Sequence, residues 1–292
     1  MYELIQVSEH CFYIQSSARI GLVLLNEQDV ILIDSGNDKE AGRKVRKILD
    51  AHHWTLKAIY NTHSNADHIG GNKYLQDQTH CKIYAPGIEQ AFTVFSLLEP
   101  SFLYGGFPPS ALRHKFLMAK PSQAQLLCDE NLPDGFEIIP LPGHFFDMVG
   151  FRTPDQIVYL ADCLSSLETL EKYKISFIYD VKSYLETLEK VKGLQARLFI
   201  PAHAKPTADI VSLAQANIDQ VHAIANHIVE LCHTPMNFET LLGRLFSDYE
   251  LDMNFEQYVL VGSTLRSYLS WLSECGRIHY DFCNNQLLWL SI

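Results

Sequence analysis

The sequence predicts an α+β chain: a strand-rich body over residues 1–206, followed by a smaller helical unit over residues 207–292. Three observations carry this. Short apolar or alternating runs recur up to about residue 200, each closed by a polar turn, as strands require. From Thr207 the pattern changes to long segments of helical period, ending in two strand-like runs around Asn284-Asn285. Histidine and aspartate, the residue types that bind metal ions, stand where several predicted strands end.

The first runs are Leu4–Val7, Cys11–Ile14, Ile20–Leu25 and Val30–Ile33, split by turns such as Asn26-Glu27-Gln28-Asp29; this spacing suggests an antiparallel meander. Asp34-Ser35-Gly36 follows. Asn37 is the expected cap of a helix with Glu40 at the capping-box position, and Ala41, Val45, Ile48 and Leu49 share one face. The apolar run Ala58-Ile59-Tyr60 leads into Asn61-Thr62-His63-Ser64-Asn65-Ala66-Asp67-His68-Ile69-Gly70-Gly71, with a helix-like segment after the glycines. That reads as a strand, a tight loop and a helix, a placement that holds side chains rigidly at an edge.

Residues 86–120 are rich in Phe, Tyr and Leu and are broken by Gly105-Gly106 and Pro108-Pro109. They predict short helices, either over the mouth of a pocket or as a packed insertion with no ligand role. Strands resume at Phe136–Leu141, Val149–Thr153 and Ile157–Ala161. A helix from Val181 to Lys192 has Asp180 as cap and Gly193 as stop, and a last short strand covers Leu198–Ile200. Helices are predicted over Ile210–Cys232, Phe238–Tyr249 and Phe255–Cys275, then a hairpin; this is the element order of a winged-helix module.

The chain of 292 residues is 47% hydrophobic, enough for one large domain or a domain with an appendage. A formal net charge of -11 argues against general binding to a nucleic-acid backbone, although a local basic groove stays open. The 7 cysteines are scattered without a CxxC pair, which suits reduced thiols and a cytoplasmic location. Met1-Tyr2-Glu3-Leu4 lacks the basic and apolar regions of a signal peptide, and no apolar run is long enough to span a membrane, so no membrane association is expected.

His63, Asp67, His68, His144 in Pro142-Gly143-His144, Asp162 and His203 in Pro201-Ala202-His203 all fall at strand ends. In a layered sheet such ends can converge on one edge, and imidazole with carboxylate suits zinc, iron or manganese. Thr62-His63-Ser64-Asn65-Ala66-Asp67-His68, Pro142-Gly143-His144, Ala161-Asp162 and Pro201-Ala202-His203, in this order, resemble the metallo-β-lactamase superfamily over roughly residues 1–206. The resemblance implies a four-layer αββα sandwich, with metal bound at one edge and a metal-bound hydroxide as the hydrolytic agent in most members. It implies one metal position with His63, residue 65 and His144, another with Asp67, His68 and His203, and Asp162 bridging both. Asp34 resembles the supporting residue behind the site; a turn-forming role is the alternative.

Asn65 stands where the family usually has His, and a neutral amide is a poorer zinc ligand. The expectation is one or two zinc ions, with the Asn65 position the weaker. Phe145-Phe146-Asp147 replaces the usual small residues and predicts a more apolar pocket wall. Asp67 or Asp162 is the candidate general base. No Gly-x-Ser-x-Gly elbow occurs, and Cys163, next to Asp162, reads as inert. The third C-terminal helix carries only Arg266 as a basic residue before Arg277. Packing of the tail against the body or a second subunit, as in a homodimer, is therefore expected over nucleic-acid binding. Arg113-His114-Lys115 with Lys120 reads as a solvated face. The favoured function is a metal-dependent hydrolase of a small ester, thioester or lactone. The alternatives are a metal-dependent RNA nuclease, and a non-hydrolytic iron redox protein or metal-depleted binder.

Overall fold

Two sheets lie face to face between two helical layers in the computed structural model, which describes residues 2–292. The first sheet contains β1 (Glu3–Gln6), β2 (Cys11–Gln15), β3 (Ile20–Leu24) and β4 (Asp29–Ile33), an antiparallel meander in sequence order. After α1 (Lys39–Ala51) come β5 (Thr55–Tyr60), the single turn α2 (Ala66–Ile69), α3 (Asn72–Thr79) and β6 (Lys82–Ala85). Then follow α4 (Glu89–Val94), α5 (Leu98–Tyr104) and β7 (Ala124–Leu126). Strands β4 to β7 run parallel, because helices now make the connections.

The second sheet is built from β8 (Glu137–Pro140), β9 (Val149–Arg152), β10 (Ile157–Ala161) and, beyond α6 (Leu167–Tyr173) and α7 (Val181–Lys192), β11 (Leu198–Pro201). Its order is β11-β10-β9-β8, with β10 and β11 parallel. The chain ends in α8 (Val211–Leu231), α9 (Phe238–Asp248), α10 (Phe255–Glu274) and the hairpin β12 (Ile278–Cys283) and β13 (Gln286–Ser291).

Strand alternation explains the layers. In β4, Ile31 and Ile33 face the second sheet, while Val30 and Leu32 face α1 and α3. In β10, Ile157 and Tyr159 face inward, while Val158 and Leu160 pack under the helices. Both faces of these strands are buried, so they read as continuous apolar runs. The outer core of the second sheet joins Leu188 and Val191 of α7 to Ile218, Val221 and Ile228 of α8 and to Leu265, Tyr268 and Leu269 of α10. One apolar cluster therefore crosses the composition change at residue 207.

Caps fall close to the expected places. Asp180 accepts from Ser183 N, and Asn237 from Thr240 N. At α1 the cap is Asp38 rather than Asn37: its carboxylate accepts from Ala41 N at 3.0 Å, and it also holds Lys115 at 2.8 Å. Residues 86–120 form α4, α5 and a 3-10 turn at Ser110–Leu112. Leu103, Leu112 and Leu117 of this segment pack against Val259 of α10, so the insertion and the tail meet.

Candidate metal centre

Asp34, His63, His144, Asp162 and His203 all follow the C-terminal ends of strands, at β4, β5, β8, β10 and β11. The loop carrying His63, Asp67 and His68 is locked to the Asp34 turn by Ser35 N donating to the His68 carbonyl at 2.8 Å and Gly71 N to the Gly36 carbonyl at 3.2 Å. A Cβ on Gly70 would lie 2.3 Å from the Asn37 carbonyl carbon, so only glycine permits this approach. Gly143 has φ +121, and its carbonyl accepts from Tyr179 N and Asp180 N, which seats His144 against the start of α7.

Two groups of ligand atoms result. Asp67, His68, Asp162 and His203 form one, and His63, His144 and Asp162 the other, the atoms of each lying within 4.8 Å of one another. Asp162 Oδ1 is 3.1 Å from His68 Nε2, and its Oδ2 is 3.1 Å from His203 Nε2 and 3.7 Å from His144 Nε2. Asp67 Oδ2 is 3.3 Å from His203 Nε2 and 3.8 Å from His68 Nε2. Asn65 Oδ1 reaches to 3.1 Å of His144 Nε2. The structure thus brings all seven residues singled out in the sequence to one edge.

Each imidazole has its Nδ1 engaged and its Nε2 turned to the cluster. His68 Nδ1 donates to Asp34 Oδ2 at 2.7 Å, His144 Nδ1 to the Phe177 carbonyl at 3.0 Å, and His203 Nδ1 to the Ser17 carbonyl at 3.1 Å. Thr62 Oγ1 donates to Asp34 Oδ2 at 2.7 Å and so accepts from His63 Nδ1 at 3.0 Å. This pattern fixes the tautomer that leaves Nε2 as a ligand. His63 Nε2, His68 Nε2 and Asp162 Oδ1 are buried without a hydrogen-bond partner. Orphaned ligand atoms within 4.8 Å of their neighbours fit a tetrahedral cation with bonds of about 2.0–2.2 Å.

Asp34 does both jobs open to it. Its backbone sits at φ +64, in the turn, and its carboxylate accepts from Thr62 N, Thr62 Oγ1 and His68 Nδ1. Asp34→Ala is expected to weaken metal binding about 10- to 100-fold through His68; a competitive chelator titration measures this, and an unchanged affinity counts against the orienting role.

Electrostatics separate the histidines. Burial, with His68 adding to it, holds His63 well below the ordinary imidazole range; His144 is lowered too, chiefly by burial. Burial also opposes charge on His68 and His203, but Asp162 and Asp67 outweigh it and raise both, His203 to about 10. Burial would lift Asp67 and Asp162; His68 and His203 instead hold both carboxyls below the ordinary range. A cation entering here displaces protons, so its affinity rises with pH. Cys163 is buried, and burial together with Asp162 pushes its thiol far up, which keeps it inert.

The insertion supplies what the sequence did not show. Glu89, fully buried, accepts from Ser64 N and Ser64 Oγ with one oxygen and from Asp147 N with the other; burial pushes it up to about 7. Asp147 in turn accepts from Ile88 N at 2.8 Å and so anchors the start of the insertion. Phe145 is buried completely among Phe92, Phe102 and Phe177 and does not form a pocket wall, because its ring is turned into that cluster behind His63. The open cleft of about 190 Å³ beside His144, Asp162 and His203 is walled instead by Leu164, Tyr173, Ile175 and Phe177, and by Gln257, Leu260 and Val261 of α10. Arg113, His114 and Lys115 lie at a separate recess with Asp38 and Glu40.

A sandwich of this layering defines an αββα protein, and the His/Asp cluster at its edge fits a metal ion. Residues 17–203 match the family model of the metallo-beta-lactamase superfamily, and the chain belongs to that superfamily. A beta-lactamase domain protein from Burkholderia ambifaria is similar in structure, with TM-score 0.73 at 16% identity over 99% of this chain and 94% of that one. A metallo-beta-lactamase family protein from Thermus thermophilus gives 0.73 at 16% identity over 100% and 98%. A metallo-beta-lactamase from Pontibacter korlensis gives 0.58 at 17% identity, covering 76% of this chain and 99% of that one. No curated protein matches the chain in sequence. No helix among the described residues is long and apolar enough to cross a membrane.

Proposed function

We propose that the chain is a metal-dependent hydrolase acting on a small ester, thioester or lactone, with zinc as the favoured metal. The observation that supports this reading is the cleft: it opens on His144, Asp162 and His203, and no Lys or Arg lines it. A polyanionic nucleic-acid backbone would meet Asp162 there and, beyond the bound cations, no Lys or Arg to pair its other phosphates. A bound divalent cation supplies the chemistry by polarising the substrate carbonyl and lowering the pKa of a water to about 7.

The chain's own residues do the rest. His63, Asn65, His144 and Asp162 would hold one cation, and Asp67, His68, His203 and Asp162 the other. Asp67, with its side chain 39% exposed against 10% for Asp162, would hold the cation through one oxygen and keep the other for a proton from the attacking water. Leu260 and Val261 exclude water from the apolar side of the substrate.

The element order of α8 to β13 is winged-helix-like, but α10 is committed to packing. Leu265, Tyr268, Leu269 and Leu272 are buried, and Arg266 stacks on Phe238 at 3.8 Å. Arg266 is the one Lys or Arg of α10, so this helix offers no cluster of basic side chains to nucleic acid. The test is metal content, then a panel of ester, thioester, lactone, β-lactam and phosphodiester substrates with and without chelator. Chelator-sensitive turnover confined to the first three is expected. Turnover confined to RNA with steep salt dependence, or iron with oxygen uptake, overturns the reading.

A further inference from the structure

The geometry points to Glu99, in the insertion helix α5, as the residue that makes Asn65 a competent metal ligand. This inference rests on the reading of the cluster as a metal centre. Asn65 Nδ2 donates to Glu99 Oε1 at 2.8 Å, while Asn65 Oδ1 lies 3.1 Å from His144 Nε2. Glu99 is 5% exposed, and its hydrogen-bond partner from another residue's side chain is Asn65.

An amide has two ends that differ little in shape, and only the oxygen binds a cation. Oε1 of Glu99 accepts whether the carboxyl is ionised or, as burial favours, protonated on its other oxygen, so Glu99 takes the NH2 end and turns Oδ1 into the cluster. The same hydrogen bond draws electron density from the N–H toward the carbonyl oxygen, which strengthens a neutral ligand. This is the role that a carboxylate plays behind a ligating histidine, transferred to an amide. It offsets the weakness that Asn65 alone would give the position shared with His63 and His144. The insertion, 34 residues further along the chain, is therefore part of the metal centre's support.

Glu99 is a positioning residue, so its test must show that it acts through Asn65. Zinc binding is titrated against a chromophoric chelator for the wild type, Glu99→Leu, Glu99→Gln, Asn65→Ala, Asn65→His and the doubles with Glu99→Leu. Glu99→Leu is expected to weaken one of two zinc equivalents about 10- to 100-fold, leaving the other within about 2-fold. Glu99→Gln, which keeps an acceptor oxygen but can also turn its own N–H2 toward Asn65, falls between the wild type and Glu99→Leu. In the Asn65→Ala background Glu99→Leu costs nothing further, and Asn65→His restores the lost affinity in the Glu99→Leu chain, as a coupled pair requires.

Circular dichroism of each apoprotein shows whether it has folded; if Glu99→Leu does not fold, Glu99→Gln with its own Asn65 doubles carries the same cycle. A wild type that binds two equivalents, unchanged by either Glu99 substitution, overturns the proposal and leaves the metal centre standing. Additive losses with no rescue by Asn65→His overturn it in the same way. A wild type that binds no metal overturns both.

Discussion

Asp162→Asn is expected to leave the chain with less than half its wild-type metal content and to lower turnover by at least about 100-fold. Among the described residues Asp162 is the one shared by both ligand groups. Its two oxygens face three different imidazoles, His68 at 3.1 Å, His203 at 3.1 Å and His144 at 3.7 Å. Asparagine keeps the volume but offers one neutral oxygen and turns an N–H2 donor toward at least one cation position. Losing a bridging carboxylate exceeds the loss of an outer partner, for which about 10- to 100-fold is typical.

The chelated protein gives a second readout with a definite sign. His203 is raised to about 10 in the folded chain, so its pairing with Asp162 stabilises fully below the unfolded value of about 6.5. That contribution fades as pH rises through about 10. Asp162 is lowered, so its share is present above about 3.9 and lost as pH falls below that. The melting-temperature gap between wild type and Asp162→Asn should therefore be widest between about pH 4 and 6.5. It should narrow toward about pH 10. Full metal content, or a gap that does not change with pH, would count against Asp162 as the shared group.

Why some of this was legible in the sequence and some was not has a physical basis. His63, Asp67 and His68 sit within six positions after an apolar run, and His144, Asp162 and His203 each follow a strand of four or five residues. Strand ends are visible because hydrophobic patterning stops there. The partners that orient these rings are another matter. Phe177 and Ser17 contribute backbone carbonyls, which any residue type has, so no pattern marks them. Glu89 and Glu99 come from short helices whose acidic residues look like surface positions until the fold buries them. The single turn α2 and the three-residue β7 are too short to show a period. Asn37 and Asp38 are both good caps, and the choice between them falls to Asp38, which also pairs with Lys115 from the insertion. Phe145 suggests a pocket wall because it stands after His144 where the resemblance implies small residues, but its side chain turns into the aromatic cluster instead.

The composition change at Thr207 is real, yet a chain ended at residue 206 is expected not to fold. Val158 and Leu160 of β10, Phe199 of β11 and Tyr184, Leu188 and Val191 of α7 share one apolar cluster with Ile218, Val221, Ile224 and Ile228 of α8. Tyr268 of α10 lies in the same cluster at 1% exposure. Removing the tail returns the outer face of the second sheet and of α7 to water. Each large side chain so exposed forfeits about 1.5–3 kcal/mol, and five of them match the whole stability of about 5–15 kcal/mol that a domain possesses. The tail also carries Thr264, whose Oγ1 accepts from Ile178 N at 3.2 Å, and Asn217, whose Oδ1 accepts from Ser165 N at 2.9 Å. Both bonds steady the 165–178 segment that walls the cleft. Circular dichroism and thermal melting of the truncated chain check this: a cooperative transition with native-like helix and strand content would show a separable module. The milder change Leu260→Trp is expected to fill the cleft from a half-buried position on α10 while the fold is kept. It should raise KM more than it lowers kcat if the tail's task at the site is to shape the substrate pocket.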